Sequence, residues 1–313
     1  MFDIRRYTAD KSDEWNAFVA QSKNGTFLFF RGYMDYHADR FADYSLMFYL
    51  DGSLYALLPA NRRGDTLYSH QGLSYGGLIM SEQATAAAVG ILFDELNAFL
   101  RIDGFCRVVY KAVPWIYHRL PSEEDLFALF LHCGAQILGR DISSTIIPTR
   151  PVKWKHGRLY AAHKARSNGI IVTPSDNYAA FWLILSDNLM RKFGARPVHT
   201  LDEMMLLHSR FPDHIRLWTA HSAAGELLAG TVLYVNDGVV HSQYISASDE
   251  GKRLHAVDGL YDHIIHRAYA CAAYIDLGTS NMPNSSDLHE SLIFQKEGFG
   301  GRAVCYDTYE WTL

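Results

Sequence analysis

The same succession of apolar runs occurs twice along the 313 residues. A chain that repeats its element order is constrained to build two similar units, and this length exceeds what one hydrophobic core usually serves. In the first half, SLMFYL and SLYALLPA flank Asp51 and Gly52, a two-residue signal for a hairpin whose central positions take positive φ. TLYSH and GLSYGGLIM read as two more strands. Ser81 is placed to cap a helix on which Val89, Leu92, Phe93, Leu96, Phe99 and Leu100 recur at helical spacing. FCRVVYK follows as a strand, Ser122 opens the helix SEEDLFALFLHC, and AQILGRDISSTIIP closes the set.

The second half repeats this order. IRLWTA precedes LLAGTVLYV and VVHSQYIS, which are joined through Asn236, Asp237 and Gly238. One helix is expected over EGKRLHAVDGLYDHIIHRAY, then a strand YIDLG, a helix SDLHESLIFQK and a closing strand AVCYDTYEW. Entrance helices stand ahead of each set: DEWNAFVAQS and RGYMDYHADRF first, then the stripe Tyr178, Phe181, Trp182, Leu185, Leu189 and Phe193. Thr200 and Glu203 have the spacing of a capping box. Between the halves, PTRPVKWKHGRLYAAHKARSNGI carries prolines, glycines and cations and reads as a connection, which puts the boundary near residue 155, with units 1–155 and 156–313.

Composition narrows the function classes. A net charge of -5 gives no general attraction for phosphate backbones, which argues against DNA, although pairs such as Arg62 with Arg63 suit a single anionic ligand. No apolar run has the roughly 18 residues of a membrane span, and the amino terminus lacks the apolar middle of a secretory signal, so a cytoplasmic protein is expected. Cys106, Cys133, Cys271 and Cys305 form no C-x-x-C pair and read as reduced, mostly buried thiols. His255, His263 and His266 have a permissive spacing but no acidic partner at a ligand offset, so no metal is expected. Gly72, Ser74 and Gly76 spell G-x-S-x-G without the helix that a nucleophile elbow needs.

The doubled order, α/β (α+β) with a mixed, mostly antiparallel sheet flanked by helices in each half, resembles tandem GNAT acyltransferases of the FemAB-like branch. PVHTLDEMMLLHSRFPDHI, HSQYISASDEGKRLHAVDGL, DLG at 276–278 and SLIFQKEGFGG are similar to the acetyltransferase domain of BioF-like and CelD-like bacterial proteins. YKAVPWIYHRLPSEEDLFALF and DISSTIIP resemble the matching first module. The resemblance implies transfer of an acyl or aminoacyl group to a small-molecule or peptide-like amine, from a thioester such as acyl-CoA or from aminoacyl-tRNA, with no tightly bound cofactor. The phosphate-binding pattern of that fold, Q/R-x-x-G-x-G/A, falls on Arg253, Ala256 and Asp258, so bulk and a carboxylate stand where pyrophosphate would approach.

Amine acylation needs a donor to the developing oxyanion and an acceptor for the amine proton. Ser242, Tyr244, Ser246 and Ser248 alternate along one strand and are expected on one face, with Tyr244 polarising the acyl carbonyl and Ser246 and Ser248 placing the donor. Lys252 and Arg253 are expected to meet the donor's anionic part. Lys296, in a stretch that resembles the F-K-x-x-F-G run of FemAB-like proteins, is expected to stabilise developing charge. Glu290 or Asp276 would take the proton, with His241 as the alternative base. A binding module that keeps the fold without turnover is the reading from another class.

Overall fold

The computed structural model describes all residues except Pro283, Asn284 and Ser286. Asp51 and Gly52 take φ of 50° and 80°, and the hairpin they close joins the strands Leu46–Leu50 and Ser53–Leu58 in antiparallel register. Packing groups the chain into two units, Met1–Asp141 with Cys305–Leu313, and Ile142–Val304.

The first unit contains β1 (Phe2–Arg6), α1 (Ser12–Gln21), α2 (Arg31–Met34), β2 (Ala42–Asp43), β3 (Leu46–Leu50), β4 (Ser53–Leu58), β5 (Asn61–Arg63), β6 (Thr66–Tyr68), β7 (Ile79–Met80), α3 (Ala86–Ile102), β8 (Arg107–Lys111) and α4 (Glu124–Cys133). A four-stranded sheet runs β1-β3-β4-β7. Val89, Leu92, Phe93, Leu96 and Leu100 of α3 lie in the unit's core with Phe48, Tyr110 and Trp311. Here the cap differs from expectation: Thr85, not Ser81, accepts from the backbone N–H of Ala88, and Ser81 Oγ is buried with no partner among the described residues. Ser122 likewise caps nothing; its hydroxyl donates to the carbonyl of Leu120. The stretch after Ser74 is irregular up to β7, and no helix follows it.

The second unit holds the end of β9 (Gln136–Ile146), then α5 (His156–Ser167), β10 (Ile171–Ser175), α6 (Tyr178–Phe193), α7 (Leu201–Arg210), β11 (Ile215–His221), β12 (Leu227–Asn236), β13 (Val239–Ala247), α8 (Asp249–Arg253), α9 (Ala256–His263), β14 (Tyr274–Thr279), α10 (Glu290–Gly298) and the start of β15 (Arg302–Thr312). Its strands follow the order β10-β11-β12-β13-β14-β9, antiparallel except for the β13–β14 pair. The capping box at α7 is complete, with Thr200 accepting from the Glu203 N–H and Glu203 from the Thr200 N–H. The predicted helix SDLHESLIFQK begins with Ser286, outside the described residues, and the observed helix starts at Glu290.

Three expectations give way to local physics. The stretch read as a connection forms α5, because this helix buries only Ala161, Ala162 and Ala165 and so shows no stripe of large apolar residues. Ile146 and Trp154 belong to the second core, and the N–H of Lys155 donates to the carbonyl of Gly298, so residues 142–155 group with the second unit. The single helix expected after β13 is cut at His255, whose φ of 62° separates α8 from α9. The thiols are also less buried than composition suggested: Cys106, Cys271 and Cys305 are exposed.

Gly251 fixes how α8 seats on the sheet, since a Cβ there would lie 2.0 Å from the carbonyl oxygen of Leu228. Gly157 in α5 faces open space. Gly251→Ala should lower unfolding free energy by about 2 kcal/mol or more through overpacking. Gly157→Ala should raise it by about 0.5–1 kcal/mol through helix propensity. Urea denaturation of both variants reads the contrast.

Candidate active site

The ladder between β13 and β14 is only three residues long, ending at the pair His241 and Asp276. Beyond it β13 continues to Ala247 paired with β12 alone, and β14 turns at Gly278, whose φ is +78°. The two strands therefore part where their polar side chains meet, which is where a sheet of this kind opens to ligand.

Asp276 is fully buried, and a buried carboxylate must be paired and hydrogen-bonded to persist. It is. Oδ1 accepts from the hydroxyls of Ser143 and Thr145 on β9, the latter at 3.4 Å, and from the Gly278 N–H at 3.2 Å. Oδ2 lies 2.8 Å from Nδ1 of His241. Since a carboxylate only accepts, His241 donates through Nδ1, and in the neutral ring this tautomer puts the lone pair on Nε2. The imidazole keeps 15% of its side-chain surface exposed, enough to be reached.

Lys296 completes the group. Its ammonium donates to the carbonyls of Gly278 at 2.8 Å and Thr279 at 2.7 Å. Burial pulls its pKa down to about 8, and the Asp276 charge offsets part of that fall. A Cβ built on Gly278 would stand 3.6 Å from His241 Cε1 and 3.9 Å from Lys296 Nζ, so imidazole and ammonium flank one glycine. The cluster thus holds a base carrying an oriented lone pair beside a cation whose charge is easily modulated.

The expected row of hydroxyls is not on one face. The β12–β13 register shifts at Gln243, between the pairs Val232↔Tyr244 and Leu233↔Ser242, and one extra residue reverses which way the following side chains point. Ser242 contacts Tyr261 of α9 at 2.7 Å and Thr231 at 3.1 Å. Tyr244 instead meets His199 Nδ1 at 2.6 Å, packs edge-on to Trp182, and has its hydroxyl pKa pushed up to about 12 by burial. Ser246 accepts from Asn188 of α6 at 2.8 Å. Tyr244 and Ser246 are therefore held towards α6 and α7, in contacts other than those of the His241 cluster.

The remaining candidates sit at the start of α8 and α10. Ser248 is the N-cap of α8, accepting from the Gly251 N–H at 3.0 Å. Lys252 pairs with Asp249 at 2.8 Å, and Arg253 with Glu250 in the same turn. These exposed pairs are worth little, so an anion can displace them. Glu290 is exposed on the first turn of α10. Asp258, one of the altered phosphate-pattern positions, is buried in the first turn of α9, where Arg158 of α5 pairs with it at 2.8 Å. Ala256 beside it is fully buried. The first turn of α9 thus carries a carboxylate that the protein pairs with its own cation.

Reading residues singly missed the dyad and its support. Ser143 and Thr145 carry no motif, and their alternation in DISSTI was the available signal, since both point to the same side as their β14 neighbour. Among the described residues no group of three or more His, Cys, Asp or Glu forms a metal site.

Removing the carboxylate strands several donors at once. Asp276→Ala should cost about 3 kcal/mol of unfolding free energy. Glu290→Ala, on the surface, should change it by less than about 0.5 kcal/mol. Equal effects in denaturant titrations would mean that Asp276 is not the anchor described.

Residues 158–284 match the acetyltransferase (GNAT) domain family. No curated protein is significantly similar in sequence. Among solved structures, FemX superposes with a TM-score of 0.70 at 11% identity, covering 99% of this chain and 97% of its own. The C-terminal domain of a putative lysylphosphatidylglycerol synthetase from Agrobacterium fabrum gives 0.59 at 13% identity, covering 96% and 91%. A tandem GNAT protein from the clavulanic acid biosynthesis pathway gives 0.52 at 12% identity, covering 100% and 98%. Residues 158–284, in the second unit, thus match the acetyltransferase (GNAT) domain family, and over its full length the chain shares the fold of FemX and of a tandem GNAT protein.

Proposed function

We propose that the second unit transfers an acyl or aminoacyl group from an activated ester or thioester to an amine by direct attack at the His241, Asp276 and Lys296 cluster. The observation that carries this reading is the buried Asp276 carboxylate on His241 Nδ1, which leaves Nε2 as an oriented proton acceptor. The amine lone pair attacks the carbonyl carbon, a C–N bond forms, and the carbonyl oxygen takes negative charge. Lys296 stabilises that charge. The amine proton passes to His241, the C–O or C–S bond to the leaving group breaks, and the proton ends on the departing alcohol or thiol.

In this scheme Asp276 acts through His241 and is a positioning residue, since its oxygens already accept from Ser143, Thr145, Gly278 and His241. Tyr244, Ser246 and Ser248 support the walls towards α6 and α8. Lys252 and Arg253 attract the donor's anionic part from the surface. An acyl-CoA whose pyrophosphate is held there is one donor.

A specific feature favours an aminoacyl ester over that thioester. Asp258 and its Arg158 partner occupy the start of α9, where free N–H groups and a helix dipole would otherwise meet pyrophosphate. A putative lysylphosphatidylglycerol synthetase shares the fold, and its name refers to an aminoacylated product. The protein should therefore consume aminoacyl-tRNA in the presence of an amine acceptor, with a rate that falls as salt rises. Acetyl-CoA turnover without tRNA turnover would reverse the choice of donor. Ligand-dependent melting shifts with no turnover of either donor would make the unit a binding module.

The pH dependence follows from Lys296. Its ammonium is present below about 8 and lost above, so turnover should decline as pH rises through about 8. Lys296→Met should lower kcat on the order of 10²-fold and abolish that alkaline limb. A limb that survives in Lys296→Met removes the lysine from the mechanism.

A further inference from the structure

A second polar cavity lies in the first unit, in surroundings unlike those of the His241 cluster. It measures about 260 Å³, and Arg40, Phe41, Asn61, Arg62, Arg63 and Gln71 line it. Arg40, Arg62 and Arg63 all border it, and cations gathered around one cavity raise the local positive potential. Among the described residues neither Arg62 nor Arg63 has an ion-pair partner.

Two of the cations, Arg62 and Arg40, are held in place. The Arg62 guanidinium lies 4.3 Å from the centre of the Phe105 ring and donates to the carbonyls of Gly64 at 2.9 Å and Asp103 at 3.4 Å. Arg40 lies 5.4 Å from the Tyr36 ring and 4.0 Å from the Asp39 carboxylate. A stacked guanidinium loses less freedom on gripping an anion, and it offers paired N–H groups that match phosphate oxygens.

The floor is equally fixed. Asn61 is 1% exposed, donates to Gln71 Oε1 at 2.9 Å and accepts from the Gln71 N–H at 2.8 Å. Gln71 follows His70, a buried residue at φ 67° whose Nδ1 has no partner and whose ring packs against those of His37 and Phe41. A positive φ at a non-glycine residue costs about 1–2 kcal/mol, a strain that recurs at ligand sites.

We propose that this cavity binds the phosphate or diphosphate group of a small ligand. Its volume is below the ~300–1,000 Å³ of sites that enclose a whole ligand, which suits a head group rather than a complete molecule. Three cations match a polyanion better than a single carboxylate.

The test is calorimetric titration of the full chain with inorganic pyrophosphate and inorganic phosphate, using the native protein, Arg63→Ala and Arg101→Ala. Arg63 is exposed, so its loss leaves the core intact, and Arg101 is an exposed cation elsewhere in the same unit. The native protein should bind one pyrophosphate saturably and more tightly than phosphate. Arg63→Ala should weaken this at least ten-fold, and Arg101→Ala should not. Absence of saturable binding to the native protein, or equal weakening in both variants, would overturn the proposal.

Discussion

Placing one carboxylate at the point where two parallel strands part decides most of what the second unit can do. Asp276 has no exposed surface, so it persists only because β9 supplies two hydroxyls, the β14 turn supplies an N–H, and β13 supplies an imidazole. Three strands, β9, β13 and β14, are thereby tied together at a single anion. Moving any of them would leave a buried charge unpaired, so these hydrogen bonds hold the geometry around His241. Lys296 reaches the same glycine turn from α10 and brings the cation that balances the site.

The filled start of α9 is the second constraint. In a fold that offers a helix terminus to pyrophosphate, this chain places Asp258 there and neutralises it with Arg158 from α5. Arg158 also lies against Gly298 and over the Phe299 ring, so the arm that occupies the terminus is packed against the end of α10. The chain therefore keeps the His241, Asp276 and Lys296 cluster while Asp258 is paired with Arg158 at the start of α9.

Much of the architecture was legible in the sequence, because hairpin and cap signals are local. Asp51 with Gly52, and Thr200 with Glu203, fold as their types dictate. What stayed hidden depends on partners distant in the chain. The helix α5 buries only alanines and looks like a linker. The extra residue at Gln243 splits a row of hydroxyls that plain alternation puts together, and the positive φ of His255 divides one helix into two. Asp276, Lys296 and His241 were each visible as candidates. Their assembly, with the Asp276 carboxylate hydrogen-bonded to His241 Nδ1, needed the register of β13, β14 and β9.

The claim that a buried carboxylate fixes the His241 base can be measured without knowing any substrate. Long-range proton–nitrogen correlation NMR on ring-labelled protein reads which nitrogen of His241 carries hydrogen. The structure predicts the proton on Nδ1 and the lone pair on Nε2 at neutral pH, with that preference lost in Asp276→Asn. A proton on Nε2 in the native protein, or a tautomer indifferent to Asp276, would contradict the account.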